Sequence, residues 1–403
     1  MLATIDSATK DAALHAMADA LETRSVEILE ANARDMEAGR EGGLTSALLD
    51  RLQLTEERLA AIARDVRAIA ALPDPVGDVV DERTLPNGIR LRKVLVPMGV
   101  VAVIYEARPN VTIDCSALCI KSGNAIVLRG SSMAAHSNAA LAGIAIDAVQ
   151  GAGLPAGSIA PVFGGDRDEL PQIASAEGLV DLVIPRGGEG LKNVLKQHAT
   201  VPVMYAAAGN CHVYVHADAD LGMAARIAVN AKTQRPGVCN AAETLLVHAD
   251  AAPEFMPRVL AELAEKGVEL RVDGRTRSLA GGVAAQTIDA TDVDWATEFH
   301  DLILAVKVVD SLDEAVEHIN RWGSGHSEAI VTSSGDAGDA FTSVVDAACV
   351  YVNASTRFTD GAEFGMGAEI GNSTQKLHAR GPIGTRELCT FKWIAHGDGQ
   401  VKE

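Results

Sequence analysis

The stretch Val100-Val101-Ala102-Val103-Ile104-Tyr105 decides the fold class of this chain. It is a continuous run of apolar β-forming residues, without the polar alternation of a half-exposed strand, so we expect a strand buried on both faces of a parallel sheet. Comparable apolar runs recur along the chain, and the helical patterns 137–150 and 221–232 separate some of them: 125–128, 179–184, 211–215 and 244–247. This alternation predicts a doubly wound α/β fold.

Charge and composition exclude several classes of protein. The 403 residues hold 54 Asp and Glu against 35 Lys and Arg, and the formal net charge of −19 repels a nucleic-acid backbone. The longest stretch without these residue types, 197–217, contains three histidines and a proline, so no membrane span is expected. No basic segment followed by an apolar one opens the chain, which predicts a cytoplasmic protein.

Turn signals indicate one hairpin near the start of the α/β region. Asn87-Gly88 lies between alternating residues, which is the strongest short hairpin signal in the chain. We expect a hairpin near 82–95 that, with the C-terminal strand 388–394, mediates oligomerisation.

The phosphate-binding signatures of kinases and of ordinary dinucleotide-binding proteins are absent from the sequence. The turn Pro185-Arg186-Gly187-Gly188 follows the apolar strand and precedes a helical pattern. Its backbone N–H groups could approach a phosphate at the N-terminus of a helix. An ordinary β–α turn is the alternative.

Six cysteines lack CxxC and Cys/His spacing, which predicts free thiols and no metal site. Five of them lie in apolar runs, where burial is expected. Cys239 instead follows Gln234-Arg235-Pro236-Gly237-Val238 in a loop. The charges of Lys232 and Arg235 nearby would favour its thiolate, so Cys239 is either a reactive thiol or a loop residue without a role.

A resemblance supplies the context. The segments that carry it, in chain order, are Pro97–Ile104, Tyr105-Glu106-Ala107-Arg108-Pro109-Asn110-Val111-Thr112, Lys121–Ala125, Gln234–Glu243, Arg357–Gly361 and Gln375–Pro382. Together they resemble the glutamate-5-phosphate reductases of the aldehyde dehydrogenase superfamily over residues 5–395. Trp322 and Asn372 depart from the family pattern. The resemblance implies an aldehyde-dehydrogenase-like α/β fold in three segments. Residues 1–228 are then expected to hold N-terminal helices and a Rossmann-type cofactor domain, 229–355 a catalytic domain with Cys239, and 356–403 a return to the first domain with a small oligomerisation element.

The resemblance also implies the chemistry. The family reduces L-glutamyl 5-phosphate with NADPH to L-glutamate 5-semialdehyde and phosphate, the second step of proline synthesis from glutamate. Cys239 matches the nucleophile that forms a thioester, and the Asn110 amide and the Cys239 N–H match the oxyanion donors. Hydrolytic relatives carry a glutamate base where this chain has Tyr205-Ala206-Ala207-Ala208-Gly209-Asn210. Without that base, the thioester is expected to survive for hydride transfer or phosphorolysis.

The cofactor residues follow from the same resemblance. Arg129, Ser131 and Ser132 match the strand end that meets the adenosine ribose, and the absence of a carboxylate at Ser132 favours NADPH over NADH. Glu298 resembles the glutamate that holds the nicotinamide ribose. Each of these residues could instead have a structural role.

The substrate carries two anionic groups and an ammonium. Arg108 and Arg357 are the expected anion contacts, and Asp360 and Glu369 are expected near the ammonium or the phosphate end. A homodimer or homotetramer is expected, with glutamate 5-kinase as a candidate partner. Three alternatives stay open: a reductase of another acyl phosphate or acyl-CoA, a silent nucleotide-binding scaffold, and a cysteine-dependent acyl phosphatase.

Overall fold

The structure is a computed structural model that describes residues 2–162, 168–205 and 208–402. The chain divides into two compact units. The first comprises Met1–Ala206, Gly365–Gly371 and Leu377–Glu403, and the second comprises Ala207–Phe364 and Asn372–Lys376.

The described residues form α-helices and β-strands in close alternation after an all-helical N-terminal region. The helices are α1 Ser7–Thr23, α2 Ser25–Glu41, α3 Ser46–Leu52, α4 Glu56–Ala71, α5 Val111–Lys121, α6 Ala135–Gly151, α7 Glu169–Ala174, α8 Glu189–His198, α9 Leu221–Thr233, α10 Ala252–Glu265, α11 Gly274–Leu279, α12 Asp292–Trp295, α13 Leu312–Trp322 and α14 Gly335–Val344. The strands are β1 Val79–Thr84, β2 Arg90–Pro97, β3 Val100–Tyr105, β4 Ala125–Gly130, β5 Ile159–Pro161, β6 Leu182–Arg186, β7 Cys211–Val215, β8 Ala242–His248, β9 Glu269–Val272, β10 Ile288–Asp289, β11 Ile303–Val309, β12 Ser327–Val331, β13 Cys349–Val352, β14 Asn372–Ser373, β15 Gly381–Pro382 and β16 Cys389–His396.

The first unit is built on a parallel sheet with the order β5-β4-β3-β6. Strand β3 lies between β4 and β6, and Val101, Ala102 and Val103 are fully buried, as the apolar run predicts. One face of the sheet packs against the N-terminal helices and α5 and α6, and the other face packs against α7 and α8. Helices on both faces of a parallel sheet confirm the predicted fold class.

The predicted hairpin is also present. Strands β1 and β2 pair antiparallel, and β16 pairs antiparallel with the other edge of β2. Gly88 has a φ of +85°, a left-handed conformation that glycine adopts without the steric cost of a side chain. The exposed residues Phe391 and Trp393 lie on β16, where the Lys93 ammonium sits 3.9 Å from the centre of the Phe391 ring.

The second unit contains a parallel sheet with the order β10-β9-β11-β8-β7-β12-β13. Strand β7 pairs with β8 and β12 near the middle of this sheet, and α9 packs on it. Residues 208–228 therefore belong to the second unit, whereas they were expected in the first domain. The apolar run of β7 does not reveal which of two parallel sheets the strand joins. Within the described residues, no helix is long and apolar enough to cross a membrane.

Candidate active site

Cys239 lies in the loop between α9 and β8 of the second unit. It is half-buried, and the other five cysteines are buried, as the sequence analysis expected. Their apolar surroundings raise the pKa of several of these thiols, to about 12 for Cys115 and Cys389. Cys239 is thus the thiol of this chain that solvent reaches.

Cys211 and Gly209 both contact the backbone of Cys239. The Cys211 thiol donates a hydrogen bond to the Cys239 carbonyl oxygen over 3.2 Å. Gly209 lies against the same carbonyl, since a Cβ on Gly209 would stand 1.5 Å from the Cys239 oxygen. Only glycine fits this contact, so Gly209 sets how closely the Cys239 loop approaches strand β7.

Asn240 connects the nucleophile loop to the segment that carries Arg357. Its side-chain amide donates to the carbonyl of Thr359 over 2.9 Å and, at 3.3 Å, to that of Arg357. Its own carbonyl accepts a hydrogen bond of 2.7 Å from the Thr356 hydroxyl. These bonds place Arg357 beside the Cys239 loop, and the sequence analysis did not foresee the connecting residue.

Arg357 is half-buried, and its Nε donates to the Gln234 Oε1 over 2.9 Å. Burial lowers the pKa of its guanidinium, and the neighbouring Arg235 lowers it further, whereas Cys239 and Asp360 act in the opposite direction. Two guanidinium groups that repel each other next to a thiol favour an anion between them. Asp360 is exposed and accepts a backbone hydrogen bond from Ala362 over 2.9 Å.

Glu298 is half-buried in the loop after α12. Its Oε1 accepts the Gly209 N–H over 2.7 Å, and its Oε2 lies 3.2 Å from the His300 Nε2. Glu298 therefore holds Gly209, the residue that contacts the Cys239 carbonyl. The predicted contact with a ribose stays a prediction.

Lys232 and Glu243 form an ion pair that is completely buried, with 2.5 Å between Nζ and Oε2. Burial raises the pKa of Glu243 to about 7 and lowers that of Lys232. From the sequence, the Lys232 charge was expected to favour the Cys239 thiolate, but Glu243 binds that charge in the interior. Arg235 and Arg357 are the cations left on the loop and its neighbouring segment. Spacing could have suggested the pair, since the two residues flank the loop.

Asn110 lies at the start of α5 in the first unit. Its Nδ2 donates to the Asp114 carboxylate over 2.8 Å, one helical turn further on. This bond fixes the amide plane and leaves a second N–H on the same nitrogen, which suits an oxyanion donor. The Asp114 side chain is half-buried, and its desolvation by the surrounding protein raises its pKa to about 7.

The turn Pro185–Gly188 connects β6 to α8, as predicted. The Gly188 N–H donates to the Glu106 carboxylate over 3.3 Å, so a carboxylate of the chain itself reaches this N-terminus. A Cβ on Gly187 would lie 2.8 Å from the same carboxylate. The Arg186 guanidinium packs against Gly371, where a Cβ would come within 2.3 Å of it. Glycine at 187 therefore serves close packing.

A pocket opens beside the end of β4, bounded by α6. Its lining includes Ser131 and Ser132 together with Leu128, Gly130 and Asn138. The Ser131 hydroxyl is buried and has no hydrogen-bond partner among the described residues. A buried hydroxyl of this kind is expected to meet a ligand or water, and the assignment of this pocket to the ribose end of a dinucleotide stays a prediction.

The structure does not place Arg129 in that pocket. Successive residues of a strand point to opposite faces, and Arg129 points away from Leu128 and Gly130. Its side chain is 9% exposed, and its Nε lies 3.6 Å from the Glu169 carboxylate on α7. A carboxylate near the proposed 2′-phosphate contact was not expected from the sequence.

The remaining candidates lie apart in the chain. Arg108 is exposed and Glu369 is half-buried, both in the first unit. In the segment predicted to lack a hydrolytic base, Ala206 and Ala207 lie outside the described residues. Ala208, which follows them, is exposed.

Comparisons with known proteins agree with the motifs. The model of the aldehyde dehydrogenase family matches residues 2–279. The chain is 55% identical over 403 residues to a protein of Moorella thermoacetica named gamma-glutamyl phosphate reductase, covering 100% of this chain and 96% of that one. A protein of the same name from Heliobacterium modesticaldum is 54% identical over 401 residues, with 100% and 95% covered.

Solved structures give the same result. The crystal structure of gamma-glutamyl phosphate reductase from Thermotoga maritima is 45% identical, covers 100% of this chain and 96% of its own, and has a TM-score of 0.96. An acetylating aldehyde dehydrogenase from Geobacillus thermoglucosidasius, at 20% identity and a TM-score of 0.70, shares the fold. The chain therefore belongs to the aldehyde dehydrogenase family of oxidoreductases, and within it to the gamma-glutamyl phosphate reductases.

Proposed function

We propose that this enzyme reduces L-glutamyl 5-phosphate to L-glutamate 5-semialdehyde with NADPH, through a thioester on Cys239. The observation that carries the proposal is the setting of Cys239. It is a solvent-accessible thiol on a loop held from below by Gly209 and Cys211, with Arg235 and Arg357 beside it. The names of the relatives support the substrate.

The first step is acyl transfer. The Cys239 thiolate attacks the acyl carbon, the C–O bond to phosphate breaks, and phosphate leaves with the electron pair of that bond. Arg235 and Arg357 stabilise the charge of the leaving group or of the substrate carboxylate. The Cys239 N–H donates to the oxyanion of the tetrahedral intermediate.

The second step is reduction of the thioester. NADPH, which Ser131 and Ser132 would help to hold, would supply the hydride when bound. Water is expected to attack the thioester slowly, since the segment 205–210 has alanines where hydrolytic relatives carry their glutamate base. The resulting thiohemiacetal collapses to the aldehyde and regenerates the Cys239 thiolate.

Asn110 is proposed as the second oxyanion donor on the basis of the family motif. The Asp114 carboxylate orients its amide, as the 2.8 Å hydrogen bond indicates. Loss of one such donor typically lowers kcat by about 100- to 1000-fold. We expect this loss for Asn110→Ala, measured as NADPH formation, with Cys239 alkylation by iodoacetamide unchanged.

The preference for NADPH is proposed from the serines at the β4 end. Ser131 and Ser132 offer hydroxyl donors and no carboxylate, which suits a 2′-phosphate. The nearby Glu169 carboxylate is neutralised by Arg129 at 3.6 Å. Arg186 and the glycines at 187 and 188 are proposed to contact the cofactor, with Glu106 displaced from the Gly188 N–H by a phosphate oxygen.

The assembly is proposed to be a homodimer or homotetramer formed through the sheet β1-β2-β16. The exposed aromatic residues Phe391 and Trp393 on β16 and the unpaired edge of β1 support this role. Arg108, Asp360 and Glu369 are proposed to contact the substrate ends. A complex with glutamate 5-kinase stays a prediction.

The test runs the reaction in reverse with glutamate 5-semialdehyde and NADP⁺. Without phosphate, we expect one NADPH per Cys239 in a rapid burst, followed by a stall at the thioester. Addition of phosphate should restart turnover, and coenzyme A should not. Cys239→Ala should give neither burst nor turnover. Steady NADPH formation without phosphate would refute the proposal and indicate a hydrolytic dehydrogenase, and restart by coenzyme A would indicate an acyl-CoA reductase.

A further inference from the structure

The buried pair Lys232–Glu243 brackets the nucleophile. Lys232 is in the last turn of α9 and Glu243 is the second residue of β8, so the loop with Cys239 lies between them. Both side chains are 0% exposed. Burial of two charges is costly, and a hydrophobic pair of similar volume often gives equal or greater stability. Stability alone is therefore a weak reason for this pair.

Glu243 also faces a second loop. The backbone N–H of His300 lowers the pKa of Glu243 and the Glu298 carboxylate raises it, so both groups act on the same buried carboxylate. His300 has a φ of 56°, a left-handed conformation that is unfavourable for a residue with a side chain. Such strain persists where the surroundings fix the backbone, and the His300 imidazole lies 3.2 Å from the Glu298 carboxylate.

A chain of contacts joins the Cys239 loop to Glu298. Glu298 accepts the Gly209 N–H over 2.7 Å, and Gly209 packs against the Cys239 carbonyl. Glu243 lies four residues after Cys239, at the end of the same loop, where its Oε2 binds the Lys232 ammonium. A shift of Glu243 would therefore move the loop that Gly209 and Glu298 contact.

We propose that Lys232 and Glu243 are positioning residues for hydride transfer. Their ion pair fixes the two ends of the Cys239 loop relative to each other, and thereby the position of Cys239 against Gly209 and Glu298. This inference rests on the proposed function, in which Cys239 carries the thioester and Glu298 meets the nicotinamide ribose. A displacement of about 1 Å at a reacting centre lowers rates by about 100-fold.

The test compares Lys232→Met/Glu243→Leu with the native enzyme and with a control pair. The double variant leaves no unpaired buried charge, so it is expected to fold. Glu243→Gln, which keeps the shape and one hydrogen bond, is the second variant. The control is Lys10→Met/Asp74→Asn, because Lys10 is 1% exposed and paired with Asp74 in the first unit.

The readout is the NADPH burst without phosphate, with semialdehyde carrying hydrogen or deuterium at C5. We expect the double variant to slow the burst by about 100-fold, with an increased isotope effect, while phosphorolysis of the thioester keeps its rate. Glu243→Gln should fall between the native enzyme and the double variant, and the control pair should match the native enzyme.

The outcomes separate the two proposals. A burst within threefold of native in both variants would overturn the positioning role. A smaller burst amplitude with native rate and isotope effect would show that the pair serves folding alone, which also overturns it. Absence of a burst in the native enzyme would instead remove the proposed function.

Discussion

Gly209→Ala tests the packing beneath the nucleophile most directly. The added Cβ would stand 1.5 Å from the Cys239 oxygen, 2.2 Å from its carbonyl carbon and 2.5 Å from its Cα. Ordinary contacts between such atoms need about 3.5 Å, so the backbone at Cys239 has to move by roughly 2 Å. The neighbour is backbone, which cannot change rotamer to make room.

The displacement gives the expected magnitude. A shift of about 1 Å at a reacting centre costs about 100-fold, so we expect kcat/KM to fall by at least that factor, about 2.7 kcal/mol of transition-state stabilisation. Overpacking of a buried site also costs about 1–3 kcal/mol of stability. Glycine replacement lowers the entropy of the unfolded chain and offsets about 0.4–1 kcal/mol of that cost.

The assay is the phosphate-dependent formation of NADPH together with the rate of Cys239 alkylation by iodoacetamide. The matched control is Gly335→Ala at the first position of α14, where a Cβ would meet nothing within 4 Å. The control should keep native activity and melting temperature. If Gly209→Ala keeps kcat/KM within threefold and melts with the native protein, the inferred contact between Gly209 and Cys239 is refuted.

Three further predictions concern single side chains. Ser132→Glu should shift the ratio of kcat/KM for NADP⁺ over NAD⁺ towards NAD⁺ by more than about tenfold, because a carboxylate repels the 2′-phosphate; Ser132→Ala is the control, and an unchanged ratio would contradict the pocket assignment. Arg357→Met should raise the KM for phosphate or for the semialdehyde by about 10- to 100-fold, since hydrogen bonds to charged groups contribute about 1.5–3 kcal/mol; unchanged values of both would remove Arg357 from the substrate. His318 is 5% exposed, and burial lowers its pKa to about 3 in the folded protein. Below pH 6.5 the imidazole therefore gains a proton in the unfolded chain but not in the folded one, so the free energy of unfolding decreases as the pH is lowered. His318→Phe should therefore lose about 3 kcal/mol less than native between pH 7.5 and 4.5 in urea unfolding, and equal losses would contradict its burial as a neutral ring.

Local patterns were sufficient to predict much of this fold. Strand β3 has the bounds of the apolar run 100–105, and the Asn87-Gly88 hairpin is present, because both depend on neighbouring residues alone. The run 179–184 was placed too early. Leu179 is 74% exposed and lies before β6, which begins at Leu182. The polar residue Asp181 precedes the strand, and its carboxylate accepts the Val100 N–H over 2.8 Å.

Long-range partners could not be predicted in this way. Cys239 was recognised as the exceptional cysteine from its loop, but its contact with Gly209 spans 30 residues. Lys232 was expected to favour the Cys239 thiolate, but its ammonium group is paired with Glu243 in the interior. Likewise, the contact between Arg129 and Glu169 depends on which face of β4 α7 covers. Such contacts are set by tertiary packing, of which a single sequence carries little trace.

In the proposed mechanism, phosphate rather than water cleaves a thioester on Cys239, and the groups around this residue favour that choice. The Cys211 thiol contacts the Cys239 carbonyl oxygen and the His326 Nδ1, at 3.2 and 3.9 Å. Burial raises the pKa of Cys211 well above its usual value and lowers that of His326 to about 4, so both groups are uncharged at neutral pH. Arg235 and Arg357 carry positive charge beside the loop, and Asp360 and Glu298 are nearby carboxylates. We expect the two guanidinium groups to concentrate an anionic nucleophile such as phosphate, which favours phosphorolysis over hydrolysis.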